Sequence, residues 1–558
     1  MIRNFLVRLL QRSDILRILA IPVLFILFFF AVSGIVQLTH QKPVIETMSP
    51  SIAGPGEVLI IKGRHFGNAR GDNWIEIGGD RLSGNSYIKW TDTIIMATLP
   101  ITVEDGLVYV CNPNGKSNPQ VFANRDNIPI AARNTNDAGL PVIDSFDTAT
   151  KSTGQLLTIQ GKNFGITRGD SEVRFSWLTT TANSITPTIP LTTGQANDTS
   201  TIACSDHDFC YELWSDNELR VRVPDGATSG IVFVKTERGT SNQMNITITD
   251  PSGVKHYDNR RTYILSLEVD ITNVLASDGN MLFLRIPVPQ ETATQHGVKI
   301  TASSPKPYME NYRGTILHQI ENLKTARSEK VSHSFLLTSY SVSSSVNPNL
   351  VQSAQDTQSP LYLMYTAPDR IIPSDDSQVI ATSAGIVGKE TNPYKKSLMI
   401  YSWIMKNIEY RKTETPDRTI TQILSTKTGD AYDLAILFTS LSRAAGIPAI
   451  PVAGILVDAK QGSRIYWWAE FYLENFGWLP VDPGLAMETG NADDYFGKQG
   501  ADHIAFSRGW TDQKPMTPKS RIVYKPHSFA FQPVWEESGG NIKSYTSFWA
   551  EPKVTGVY

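Results

Sequence analysis

Two hydrophobic periods divide this chain. From about residue 43 to residue 365, apolar and polar positions alternate in short runs broken by Gly, Pro, Asn, Asp and Ser. Examples are VLIIKG (58–63), LLTIQG (156–161), YILSLEVDI (263–271) and SHSFLLTSYSV (332–342). Period two predicts strands with one buried face. Beyond a loop signal near Ser374 (Pro373, Asp375, Asp376) the period lengthens. Ile400, Trp403, Ile404 and Ile408 fall on one helical face. Ala431, Leu434, Ala435, Phe438, Leu441, Ser442 and Ala445 line another, which opens at Gly429-Asp430 and stops at Gly446 before Pro448. Asp430 or Gly429 can cap this second helix, and Asp433 in its first turn suits the helix dipole. Three strand-like runs follow: AIPVAGILV (449–457), RIYWWAEFYL (464–473) and GWLPVDP (477–483), the last two joined by a turn at Glu474–Gly477. The expected class is mainly β with an α+β C-terminal domain.

One segment obeys neither period. Ile18 to Val36 carries no charge over 19 residues, behind Arg3, Arg8, Arg12 and Arg17. It is long enough to span a bilayer as a helix, and the arginines would hold residues 1–17 in the cytoplasm. The expected topology is a single-pass membrane anchor with the bulk outside. The rival is a signal peptide cleaved near Ala31-Val32-Ser33.

The strand-rich part contains a repeat. PVIETMSP at Pro43 leads to Gly63 and Phe66-Gly67, and PVIDSFDT at Pro141 leads to Gly161 and Phe164-Gly165. Both copies run through Arg-Gly-Asp (70–72 and 168–170), then a Trp-Thr/Ser-Asp turn (Trp90, Trp214), a strand ending at Pro100 or Pro224, and GLVYVCNPNGKSN or GIVFVKTERGTSN. Each copy reads as a β-sandwich in which Gly63 and Gly161 serve a turn or bulge. The pattern resembles IPT/TIG domains, immunoglobulin-like modules, over about 43–125 and 141–248. That resemblance implies spacers, or adhesion and polysaccharide binding by surface loops. Because both Arg-Gly-Asp tripeptides hold the same repeat position, a structural turn explains them better than integrin binding.

Composition narrows the chemistry. A net charge of −3 with no strongly basic stretch argues against nucleic acid as partner. Three cysteines are too few for a disulfide scaffold or a Cys-rich zinc module. Cys204 and Cys210 close a short loop, CSDHDFC, inside a 26-residue insertion of the second copy. In an exported chain they are expected to form a disulfide. A metal site from the thiols with Asp206, His207 and Asp208 is the alternative. Cys111, in a strand-like run, reads as a buried apolar thiol.

The last third carries a second resemblance. GDAYDLAILFTSLSRAAGIPAIPVAG (429–454), YWWAEFYL (466–473), GWLPVDP (477–483) and DYFGKQGADHIAFSRG (494–509) look like the transglutaminase-like superfamily, in the family's order. The likeness covers about residues 255–558 and implies a β-domain (255–370), a papain-like core (376–515) and a C-terminal extension (516–558). The family places a nucleophilic Cys in the first turn of the helix, a His on a neighbouring strand and an Asp on the next. Here those positions are Ala431, Tyr466 and Asp482. Alanine cannot attack a carbonyl, and a phenol with an ordinary pKa near 10 is no base at neutral pH. No other Cys lies in 255–558. Ser425, Thr426 and Thr428 precede the helix without a motif histidine, and His503 reads as structural. Alternation puts Tyr466, Trp468 and Glu470 on one face, and the hairpin turn brings Tyr466 towards Asp482.

The expectation is an envelope protein whose transglutaminase-like domain is catalytically inactive. It would bind or scaffold a protein, peptide or polysaccharide, with no cofactor and no metal. The alternatives are a peptidase or amidase with an unusual nucleophile, and an adhesin acting through the sandwiches.

Overall fold

A computed structural model of the protein describes residues 41–558, apart from 55, 101–102, 126–138, 178–200, 313, 413–417, 511–519 and 540. The apolar run at 18–36 lies outside the described residues. Among those described, no helix is long and apolar enough to cross a membrane. The chain divides into two compact units, up to Arg133 and from Asn134 onward.

The first unit is a β-sandwich. One sheet runs in the order 44–49, 58–64, 94–98, 87–90, and the facing sheet is built on 120–124, 106–112 and 74–77. Alternation along 58–64 buries Leu59 and Ile61 against Ile75, Ile77, Val108, Val110 and Phe122. The second sandwich repeats this order with 142–146, 156–162, 218–222 and 211–214, facing 244–248, 227–236 and 172–177.

The repeated glycines act through their missing side chain. A Cβ on Gly63 would stand 2.0 Å from the Val44 carbonyl oxygen and 2.7 Å from the Phe66 ring, and one on Gly161 would stand 2.1 Å from Val142 O and 2.4 Å from Phe164. The register slips in the partner strand beside each glycine, between Ile45 and Thr47 and between Ile143 and Ser145. The bulge is therefore opposite the glycine, and the glycine admits the close approach. Both Arg-Gly-Asp tripeptides are hydrogen-bonded turns, closed by Asn73 N to Arg70 O (2.7 Å) and Ser171 N to Arg168 O (2.9 Å). Gly71 and Gly169 hold φ of 46° and 53° within them.

A third β-domain follows. Long strands at 253–276 and 329–346 pair along most of their length, and 295–304 extends their sheet. The C-terminal residues, set apart as an extension by the sequence, complete this domain. Strands 542–549 and 553–557 pair with 253–276, while 536–539 joins a second sheet beside 281–287.

The α+β domain lies in the chain between strand 329–346 and the return at 536–557. Its helices are α1 (Pro360–Thr366), α2 (Ser377–Val387), α3 (Pro393–Asn407), α4 (Ile420–Thr426), α5 (Ala431–Ala444) and α6 (Pro483–Thr489). Its antiparallel sheet is formed by β1 (Ala449–Val457), β2 (Ser463–Leu473), β3 (Gly477–Val481) and β4 (His503–Arg508), in the order β3-β2-β1-β4. Helix α5 is buried from Ala431 to Arg443, far beyond an amphipathic stripe, because α2, α3 and the sheet enclose it. Asp430 is its N-cap, in a reciprocal capping box with Asp433.

Candidate functional site

The three replaced positions converge. Helix α5 starts at Ala431, the β2–β3 hairpin carries Tyr466, and Asp482 caps α6 through Leu485 N (2.9 Å). The Tyr466 hydroxyl donates to Asp482 Oδ1 at 3.0 Å. Burial first, then the nearby carboxylate, push the phenol's pKa far above its ordinary value, so it stays protonated. The space around it is full. A Cβ on Gly484 would stand 2.6 Å from the Tyr466 hydroxyl and 3.1 Å from the Ala431 Cβ. Ala431, Tyr466 and Asp482 are all buried, and Val452, Trp468 and Ala505 pack with the first two.

His503, read from the sequence as structural, has a partner the sequence did not reveal. Its Nε2 lies 3.2 Å from Asp482 Oδ2 and its Nδ1 lies 2.9 Å from Asp502 Oδ1. Burial disfavours the charged ring, but hydrogen bonds to Asp482 and Asp502 outweigh it and raise the pKa to about 9. Both N–H groups of an imidazolium are then committed to carboxylates, and no lone pair remains to accept a proton from a nucleophile. The signal in the sequence was Asp502-His503 at the start of β4, but nothing local revealed that the His503 side chain meets Asp482.

The hydroxyls before α5 are ordinary helix-end groups. Ser425 and Thr426 each donate to Gln422 O at 2.9 Å, and Thr428 donates to Thr426 at 3.3 Å. Among the described residues no histidine hydrogen-bonds any of the three. One set of side chains among the described residues could hold a cation: Asp430, Asp433 and His527, with ligand atoms within 4.8 Å of one another. Arg418 already supplies positive charge there, 3.0 Å from Asp433 Oδ2. Burial, then Asp430, raise the Asp433 pKa to about 7.

The expected Cys204–Cys210 disulfide is not formed. Both are free buried thiols in the apolar core of the second sandwich. Burial, then a hydrogen bond to Cys210, push the Cys204 pKa well up. Cys111 is also free and buried. The residues between the cysteines leave the thiols and dock on the α+β domain instead of joining them around a metal. His207 Nε2 lies 2.6 Å from Arg508 O, and Tyr365 donates to His207 O at 2.7 Å. Asp208 accepts from Trp478 Nε1 at 3.0 Å and pairs with Arg508 Nη1 at 3.4 Å. Burial opposes the Asp208 charge, but Arg508 overcomes it and the pKa falls to about 2. Glu470 also turns to Arg508, at 2.8 Å.

Residues 380–483 match the transglutaminase-like superfamily and residues 43–124 match the IPT/TIG domain, so the chain contains a domain of each class. An uncharacterized protein of Haemophilus influenzae is 36% identical over an alignment of 122 positions that covers 17% of this chain and 33% of that protein. The chain thus spans a third of that relative's length. Among solved structures, a candidate cysteine protease from Cytophaga hutchinsonii is similar over 54% of this chain and 93% of its own, at 16% identity and a TM-score of 0.38. The periplasmic domain of TgpA from Pseudomonas aeruginosa is similar over 43% of this chain and 90% of its own, at 14% identity and a TM-score of 0.24.

Proposed function

We propose that this chain is a membrane-anchored envelope protein whose transglutaminase-like domain binds or scaffolds and performs no acyl transfer. The observation that carries the reading is the closed contact of Ala431, Gly484 and Tyr466 where a thiol, an imidazole and a scissile carbonyl would have to meet. His503 supports it, because both ring nitrogens face carboxylates. The anchor is supported by the uncharged run at 18–36 behind four arginines. Loss of a nucleophile removes on the order of 10⁶ of rate in a worked protease case. The test is turnover of amide and thioester substrates, including peptidoglycan peptides, by the purified protein. No turnover above background is expected. Turnover that survives substitution of Ser425, Thr426 and Thr428 and vanishes with Asp482→Ala overturns the reading.

A further inference from the structure

The side chains among the described residues that could hold a cation lie next to the replaced triad and outside it. They are Asp430, Asp433 and His527, with ligand atoms all within 4.8 Å of one another. The two carboxylates come from the entrance to α5. The imidazole comes from a loop far along the chain, between β4 and strand 536–539.

Each carboxylate has one oxygen engaged and one turned to another use. Asp430 Oδ1 accepts from Asp433 N at 3.0 Å, the capping bond, and its Oδ2 faces His527 Nε2 at 4.0 Å. That gap is too long for a hydrogen bond, yet two bonds of about 2.0–2.2 Å to one shared ion span it. Asp433 Oδ2 takes Arg418 Nη1 at 3.0 Å. Its Oδ1, in a fully buried side chain, makes no hydrogen bond among the described residues. Buried polar atoms nearly always have a partner, so a carboxylate oxygen left bare in the interior marks the place of a missing positive group.

The surroundings suit an ion. The His527 ring lies against Tyr432, with centroids 3.8 Å apart, and Trp467 meets it edge-on at 5.6 Å, which fixes its orientation. Asp430 and His527 are partly exposed, so an ion has a way in from solvent. Arg418 does not complete the charge balance, because two carboxylates against one guanidinium leave one negative charge over. The N-terminal end of the helix dipole, about half a positive charge, offsets only part of that. An imidazole with two carboxylates is a nitrogen and oxygen donor set of the kind zinc takes, whereas Mg²⁺ and Ca²⁺ prefer oxygen alone.

We infer that Asp430, Asp433 and His527 bind one divalent transition-metal ion of the zinc class, with water completing its coordination. The ion ties the loop that carries His527 to the start of α5. None of the three residues belongs to the replaced triad, so this inference and the absence of acyl transfer can each fail alone.

The experiment is calorimetric titration of the metal-stripped full-length chain with Zn²⁺, with Mg²⁺ and Ca²⁺ as hard-cation probes. One Zn²⁺ is expected to bind per chain, and equimolar Mg²⁺ or Ca²⁺ should not displace it. Asp430→Ser keeps a hydroxyl that can cap Asp433 N while removing the ligand, and His527→Gln removes the imidazole without touching the cap. Each should weaken Zn²⁺ binding at least about tenfold and shrink the zinc-dependent rise in unfolding temperature. If Asp430→Ser does not fold, His527→Gln decides. Joint substitution of Cys204 and Cys210 by serine should leave binding unchanged, which separates this site from the dithiol loop. Absence of stoichiometric Zn²⁺ binding overturns the inference. So does an affinity unchanged in His527→Gln, loss of the site with the two cysteines, or displacement of Zn²⁺ by Mg²⁺ or Ca²⁺.

Discussion

The replaced triad and the three-domain junction are assembled from similar side chains: buried carboxylates, a histidine or arginine between them, and aromatic neighbours. They differ in what the geometry leaves over. At the triad, the Tyr466 hydroxyl and both His503 ring nitrogens are taken up by Asp482 and Asp502, and Gly484 and Ala431 close the remaining space. At the junction, Asp208 and Glu470 share Arg508 and Asp225 holds Lys255, yet a cavity remains beside them. The first arrangement fills its own space, and the second leaves room between its ion pairs.

The largest effect that would break this contrast comes from Asp482→Ala. It strands a buried imidazolium and a buried phenol, and breaking a buried pair costs about 3–5 kcal/mol. Chemical denaturation should show that loss; a change under about 1 kcal/mol would mean the network does not act as a joint. Next is pH. His503 has an ordinary pKa of 6.5 and a folded value near 9. Protonation therefore favours the fold: the contribution is complete below pH 6.5 and is lost as pH rises through 9. Unfolding free energy should fall by about 3 kcal/mol across that window. His503→Gln should flatten this slope, and an unchanged slope in the variant would assign it elsewhere. Gly484→Ala forces a methyl group against the Tyr466 hydroxyl and should cost about 1–3 kcal/mol, the range for overpacking. A neutral result would show that the position has more room than its contacts indicate. The smallest effect expected is that of Ala431→Cys on activity. The new thiol has no free base beside it, so thioester turnover should stay at background, and measurable turnover would reopen the position to catalysis.

Much of this was legible in the sequence, for identifiable reasons. Alternation and turn residues located the sandwiches because each strand buries one face, and the Pro43 and Pro141 repeat gave two chances to see it. Hairpin pairing about Glu474–Gly477 was enough to put Tyr466 near Asp482, since both lie on adjoining strands or just beyond one. What could not be read depends on contacts between segments far apart. His503 meets Asp482 although β4 and β3 are the two edge strands of the sheet, a contact that no local pattern encodes. Glu470, placed by alternation with Tyr466 and Trp468, turns to Arg508, 38 residues later. Asp208 meets Arg508 across 300 residues. The CSDHDFC loop suggested a disulfide because cysteine spacing says nothing about a dithiol buried in an apolar core.

The return of residues 536–557 to the third β-domain makes the α+β domain an insertion, entered after strand 329–346 and left before 536–539. During synthesis, the edge of strand 253–276 that receives them has no partner from this segment until nearly the whole chain has emerged. The third domain can close only after the inserted domain has been made. A premature stop within the last twenty residues would therefore open a sheet laid down almost three hundred residues earlier, a penalty set by topology instead of by the number of residues lost.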